Sequence, residues 1–286
     1  MARVRVVWVL AAFIAGSAAL LYLGRASRTA PPVAAQGAPQ RTMVLATTTS
    51  VQDSGLLDEL LPRFEGRTGI HARVLAVGSG KAVELGRLGE ADAVLCHSPK
   101  LEEEFVRDGL AESRKPVARN EFMVVGPASD PAAVRKARTG AEALKRIAAV
   151  QAPFISRGDG SGTHRKEQDL WKAAGIEPKG AWYERLDAGM GATLRRADER
   201  GAYTLADGAT FTAYRERLKL QPLHRGSAGL ENPYSVLVVA PGRRPAAGVE
   251  DARQFSRFLT GPEGQGLIAG YGLKSYGRAL FLPAAR

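Results

Sequence analysis

From Arg41 to the C-terminus, short apolar runs alternate with stretches in which apolar residues recur at helical spacing, and this limits the fold more than any other feature of the chain. Met43–Ala46, Ala72–Val77, Ala93–Cys96 and Phe122–Val125 read as strands. Between them, Leu56, Leu57, Leu60, Leu61 and Phe64 line one helical face, with Asp53 or Ser54 as its cap. A short helix is predicted over Lys81–Leu88, and another opens at Pro99, where proline suits a first turn. The second half continues with a strand at Phe154–Ser156, helices at Ser161–Ala174 and Ala192–Arg200, a strand at Ala202–Leu205 and a helix at Ala209–Arg217. A β-branched run, Ser235–Ala240, precedes two last helices, Val249–Leu259 and Pro262–Ala269. A strand followed by a helix must cover its apolar faces by layering, so this order predicts an α/β protein with mixed or parallel sheets flanked by helices.

Two of the strands, Phe122–Val125 and Ser235–Ala240, end in Gly126-Pro127 and Ala240-Pro241-Gly242, which marks them as crossings between two lobes. The expected division is a discontinuous first lobe, 42–126 with 233–286, and a second lobe, 127–232. Two crossings make a hinge, and a hinge beside a cleft is a ligand clamp.

Residues 1–35 are set apart as an address. Met1–Arg5 is basic, Val6–Gly24 is apolar and uncharged, and residues 36–41 form a linker. Cleavage after Val33-Ala34-Ala35 and retention as an uncleaved anchor are the two readings; either delivers the body outside the cytoplasm. Four of the formal +11 charges belong to Arg3, Arg5, Arg25 and Arg28 of this segment, and the remainder mixes signs without a block of like charge. A nucleic-acid partner is therefore not expected, although a modest positive field favours an anionic ligand. Cys96 is the sole cysteine, which excludes an intrachain disulfide and a thiolate zinc site.

Three clusters of Gly, Ser and Thr follow strands and open helices: Thr47-Thr48-Thr49-Ser50, Gly78-Ser79-Gly80-Lys81, and Ser156-Arg157-Gly158-Asp159-Gly160-Ser161-Gly162-Thr163. In parallel sheets ligands sit beyond the carboxyl ends of strands, where such turns lie. Helix starts offer unpaired N–H groups and a positive dipole end, glycines admit close approach, and hydroxyls add donors. Together these suit an ionised tetrahedral oxyanion, with Arg157 as its two-pronged partner unless Arg157 is merely a surface ion pair with Asp159. Gly78–Lys81 lacks the rest of a nucleotide loop, since Leu75 and Ala82 stand where glycine and Ser/Thr belong. Enzyme readings fare worse. No Gly-x-Ser-x-Gly elbow frames Ser79 or Ser161, and His71, His97, His164 and His224 show no metal-ligand spacing. An exported serine esterase using Ser161 with His164 is the remote alternative. Trp171, Trp182, Tyr183 and Tyr203 read as packing residues.

The clusters resemble a known family. Ala46-Thr47-Thr48-Thr49-Ser50 with Asp53-Ser54-Gly55-Leu56-Leu57, then Val77–Ala82, then Ser156–Asp159 with Ser161–His164, is similar to the tungstate-binding proteins of TupA-type ABC transporters. Tyr203–Asp207 and Gly261–Gly266 also look like that family, so the likeness runs from about Thr42 to the C-terminus. The resemblance implies a two-lobed periplasmic binding-protein fold of type II, no enzymatic activity, no cofactor and no bound metal cation. It also implies a monomer that hands tungstate, or molybdate, to a membrane permease. Carried over by motif, Thr48, Ser79 and Arg157 are the first ligand residues, followed by Thr49, Ser50, Ser161 and Thr163. Asp159–Thr163 also resembles phosphate-binding proteins. Phosphate keeps a proton near neutrality and wants an acceptor such as Asp159, which would repel an unprotonated dianion.

Overall fold

The computed structural model describes residues 41–243 and 245–284, so the expected export segment lies outside the described residues. Among the described residues no helix is long and apolar enough to cross a membrane. The first half runs β1 (Arg41–Thr48), α1 (Thr49–Asp53), α2 (Leu56–Thr68), β2 (Ile70–Val77), α3 (Ser79–Arg87), β3 (Ala93–Cys96), α4 (Pro99–Arg107) and β4 (Ala111–Gly126). The middle holds α5 (Gly140–Ala149), β5 (Phe154–Ser156), α6 (Gly162–Ala173), β6 (Tyr183–Arg185), α7 (Met190–Arg200), β7 (Thr204–Asp207) and α8 (Gly208–Tyr214). The chain closes with β8 (Gln221–His224), β9 (Glu231–Val239), α9 (Ala246–Thr260), α10 (Pro262–Gly270), α11 (Leu273–Tyr276) and β10 (Leu282–Pro283).

β1 pairs in parallel with β2 and β3, while β3–β9 and β9–β4 are antiparallel, giving a mixed sheet. β1 is buried on both faces, and its alternation sends side chains into two cores. Met43 and Leu45 join Leu57, Phe64 and Phe255 on one face; Val44 and Ala46 join Val83, Phe105 and Leu237 on the other. On the first face Phe64 meets Phe255 edge-on, with ring centroids 5.1 Å apart. β4 is far longer than Phe122–Val125. Ala111–Glu121 pairs with β9, and Phe122–Val125 pairs with β7. The same alternation splits its far end between two further cores. Phe122 and Val124 pack with Phe154, Trp171 and Tyr203, and Met123 and Val125 pack with Met190, Leu194 and Phe211. The side chains of Phe122–Val125 thus pack among residues that follow Gly126 in the chain.

Two other local expectations change. The helix of Leu56–Phe64 is preceded by a short α1, which Thr48 caps by accepting from Val51 N–H, while Ser54 Oγ accepts from Leu56 N–H at 3.3 Å at the start of α2. Gly55, at φ 77°, then starts α2, a left-handed turn that a residue with a Cβ adopts only under strain. The sequence reading also leaves out α5, whose Thr139 caps Glu142 N–H and whose Ala143, Leu144 and Ile147 face the core.

The second-lobe core holds one ionisable side chain that tests it. Glu167 Oε1 accepts from Trp171 Nε1 at 3.1 Å and from the Tyr183 hydroxyl at 2.7 Å. Burial, against those hydrogen bonds, pushes its pKa from the ordinary 4.5 up to about 7. A carboxyl raised on folding contributes stability that is complete below 4.5 and is lost as pH rises through about 7. Glu167→Gln keeps an oxygen for both donors and cannot ionise. It is expected to melt higher than wild type at pH 8, by on the order of 3 kcal/mol at most, and to match it near pH 4.5. Parallel melting curves of the two proteins across that range would contradict this.

Candidate oxyanion site

The candidate site is the place where the ends of three strands come into contact. From the first lobe come the end of β1 with α1 and the Gly78 turn that opens α3. From the second comes the β5–α6 turn, whose Ser161 caps α6 by accepting from His164 N–H. The α3 and α6 N-termini face one another closely. A Cβ placed on Gly78 would lie 3.3 Å from the Asp159 carbonyl oxygen and 3.6 Å from Ser161 N, and one on Gly162 would lie 3.0 Å from Ser79 Oγ. Two positive helix ends brought together repel unless negative charge sits between them.

Arg157 ties the β5–α6 turn to α1. Its Nη1 donates to Ser50 Oγ at 3.1 Å, and its Nη2 donates to Thr49 Oγ1 at 2.9 Å and to Asp159 Oδ2 at 2.6 Å. The ion pair with Asp159 expected at the surface does form, yet Arg157 is 1% exposed, because α1 covers it from the opposite lobe. Asp159 Oδ1 accepts from Ser161 N–H at 3.1 Å, so both carboxylate oxygens already face donors. Thr210 Oγ1 also reaches across to the Ser50 carbonyl at 3.3 Å, and Lys100 pairs with Asp169 at 3.3 Å at the rim.

Of the residues singled out from the sequence, Thr49, Ser50 and Arg157 are joined by hydrogen bonds, and Ser79 and Ser161 lie on the two facing turns. Thr48 is fully buried but acts as a cap; Thr49 and Ser50 accept from Arg157; Ser161 caps α6. Ser79 Oγ, Thr163 Oγ1 and Arg157 Nε are buried with no hydrogen-bond partner. An unpaired buried donor costs about 1–3 kcal/mol, which makes each of the three a candidate donor to an added acceptor.

Sequence reasoning passed over His97. It follows β3, is 3% exposed, and its ring edge lies against Gly162. Nδ1 is 2.8 Å from Asn232 Oδ1, and Nε2 has no partner. The rule that ligands sit beyond carboxyl ends of strands applies to the end of β3 as well, and would have drawn attention to it. Among the described residues no group of His, Cys, Asp and Glu is arranged to hold a metal ion. Nor does the structure pair Ser161 with His164 as nucleophile and base. The His164 ring turns to Gly160, accepting its N–H at Nδ1 (2.9 Å), and leaves the Ser161 hydroxyl to the backbone.

Comparison with known proteins follows the same lines. Residues 33–263 match the model of the PBP superfamily domain. The chain is 44% identical over 246 residues to the tungstate-binding protein TupA of Peptoclostridium acidaminophilum, covering 85% of this chain and 86% of that protein. The crystal structure of the tungstate ABC transporter from Geobacter sulfurreducens superposes with a TM-score of 0.75 at 46% identity, over 82% of this chain and all of that one. The tungstate-binding protein TupA from Desulfovibrio alaskensis G20 gives 0.72 at 39% identity, over 86% of this chain and all of that one.

Proposed function

The chain belongs to the periplasmic binding-protein superfamily and, within it, to the family of the TupA-type tungstate-binding proteins; on that premise we propose that it captures tungstate between its lobes and presents it to the permease of an ABC importer. Molybdate, nearly identical in size and charge, is the ligand it would admit next. Its family is one of extracytoplasmic, non-catalytic transport components. The finer reading is that residues 1–35 export the body, with cleavage after Ala35.

The observation that carries this reading is the set of unpartnered buried donors, Ser79 Oγ, Thr163 Oγ1 and Arg157 Nε, between two facing helix N-termini. Hydrogen bonds to a charged group contribute about 1.5–3 kcal/mol each. Five or six, less the cost of closing and ordering the lobes, support affinity tighter than micromolar. The ligand set we assign is Thr48, Thr49, Ser50, Ser79, Arg157, Ser161 and Thr163. The lobes we assign are 42–121 with 232–286, and 122–231. The chain then crosses within β4 and β9, because Phe122 already packs in the second lobe.

Phosphate fits less well. Its remaining proton needs an acceptor, and both oxygens of Asp159, the acceptor the sequence offered, are engaged by Arg157 and Ser161 N–H. Competition calorimetry at neutral pH with tungstate, molybdate, sulfate and phosphate tests this. Tungstate and molybdate are expected to displace one another at one site, with phosphate failing to compete at equal concentration. Phosphate displacing bound tungstate would overturn the assignment.

A further inference from the structure

His97 is held in one tautomer by a buried network. Asn232 Nδ2 donates to Asn120 Oδ1 (2.7 Å), to Asp207 Oδ2 (2.6 Å) and towards the Tyr234 hydroxyl (2.8 Å), and Tyr234 itself bonds Asp207. The Asp207 carboxylate also accepts the Ala209 and Thr210 N–H groups, each at 3.0 Å. Both Asp207 oxygens thus face donors, so the Asn232 amide turns its NH₂ to Asp207 and its oxygen to His97. His97 Nδ1 therefore carries hydrogen and donates to Asn232, which leaves a bare lone pair on Nε2 in the neutral ring.

Nε2 is buried and unpartnered, and Cε1 beside it lies against the N-terminus of α6. The ring edge and Ser79 Oγ meet at the same point of α6, 2.8 Å and 3.0 Å from where a Cβ on Gly162 would be. A lone pair repels an oxyanion that has no proton, whereas a protonated ring attracts it. The site also needs the charge, since Arg157 is already paired with Asp159.

We propose that capture of a tetrahedral dianion takes up one proton from the surrounding buffer, onto His97 Nε2, so that the imidazolium supplies the second positive charge of the site. The inference rests on oxyanion capture between the lobes. The surroundings are consistent with a ring that is neutral before the ligand arrives. Burial lowers the His97 pKa and Arg157 adds to that, while Asp207 and the bond to Asn232 oppose them. Tyr234, held protonated by burial and by Asp207, stacks on the ring from β9. From β4, Phe122 packs on it, and Lys166 of α6 lies over the Phe122 ring. From α4, Glu102 binds Ser98 N–H and Arg114. A cavity of about 380 Å³, lined by Ser98, Lys100, Phe122, Gly162 and Asn232, reaches His97 and gives a proton access. His164 is a poor rival: protonating its Nδ1 would break its bond from Gly160 N–H.

Tungstate binding measured by calorimetry in buffers of different ionisation enthalpy, from pH 6.5 to 8.5, tests the proposal. Wild type is expected to take up close to one proton per tungstate and to weaken about tenfold per pH unit above the pKa of the free protein's His97. His97→Gln, which can still bond Asn232, is expected to bind with no proton uptake and a flat profile, and His164→Gln to keep the wild-type count. Binding without uptake in wild type, or uptake that persists in His97→Gln, would overturn the proposal while leaving oxyanion capture intact; absence of tungstate binding in wild type would remove both. Imidazole ¹⁵N spectra of wild type give an answer that does not depend on any variant. Nε2 is expected to gain a proton when tungstate is added, and a ring that stays neutral in the complex would refute the assignment.

Discussion

Replacing Arg157 by lysine is expected to weaken tungstate binding at least about 100-fold while leaving the free protein folded, and replacing it by alanine to abolish the tungstate-induced rise in melting temperature. Lysine keeps one positive charge but not the planar fork. In the native protein the two Nη groups hold Ser50, Thr49 and Asp159 from both lobes, leaving Nε as a further donor. An ammonium has three donors at one point and cannot span them. Losing two charge-assisted bonds, at about 1.5–3 kcal/mol each, gives at least about 3 kcal/mol, or about two powers of ten. Alanine goes further, because it strips Asp159, 17% exposed in its side chain, of its cation and leaves a carboxylate beside the incoming dianion. Two readouts separate binding from folding: the melting temperature without ligand, and its shift at a fixed excess of tungstate. An unchanged shift in either variant would take Arg157 out of the site. Arg157→Ala/Asp159→Asn should recover part of the loss if carboxylate repulsion contributes.

How far the sequence alone reached follows from which interactions are local. The strand-to-helix turns at Thr48, Gly78 and Ser156 announce themselves because cap and turn chemistry is decided within four residues, and those turns are where the site forms. Arg157 was visible as a lone cation in the third turn. Its burial was not, since that depends on α1 arriving from 107 residues away in the chain. The true length of β4 was hidden because Ala111–Glu121 lines a partly exposed sheet with mixed polarity, so only its fully buried end, Phe122–Val125, has the apolar run of a core strand. α5 was overlooked although its cap and spacing were present. His97 could not be interpreted without Asn232, 135 residues on, which fixes its tautomer.

The last test concerns closure itself. Gly162→Ala is expected to weaken tungstate binding by about 10- to 100-fold without destabilising the free protein. Gly162 is the first residue of α6, in the second lobe, and its φ lies outside the left-handed region, so the backbone accepts alanine. In the free protein the change should even help slightly, since alanine is favoured over glycine in helices by up to about 1 kcal/mol. The obstacle is the segment that faces Gly162. The added methyl would lie 2.8 Å from His97 Cε1 and 3.0 Å from Ser79 Oγ, both carried by the first lobe, where carbon contacts settle near 3.5–4.0 Å. Holding the lobes apart by that margin lengthens each hydrogen bond that both lobes must make to one anion. Overpacking of this size typically costs 1–3 kcal/mol. Gly266→Ala on α10 is the control, with the same gain in helix propensity and nothing within 4 Å of the new methyl. It should bind as wild type does. Small-angle scattering gives the second measurement: the contraction on adding tungstate should be smaller in Gly162→Ala than in wild type or the control. Wild-type affinity together with full contraction in Gly162→Ala would mean that α6 and the Ser79 turn do not close on the ligand as a pair.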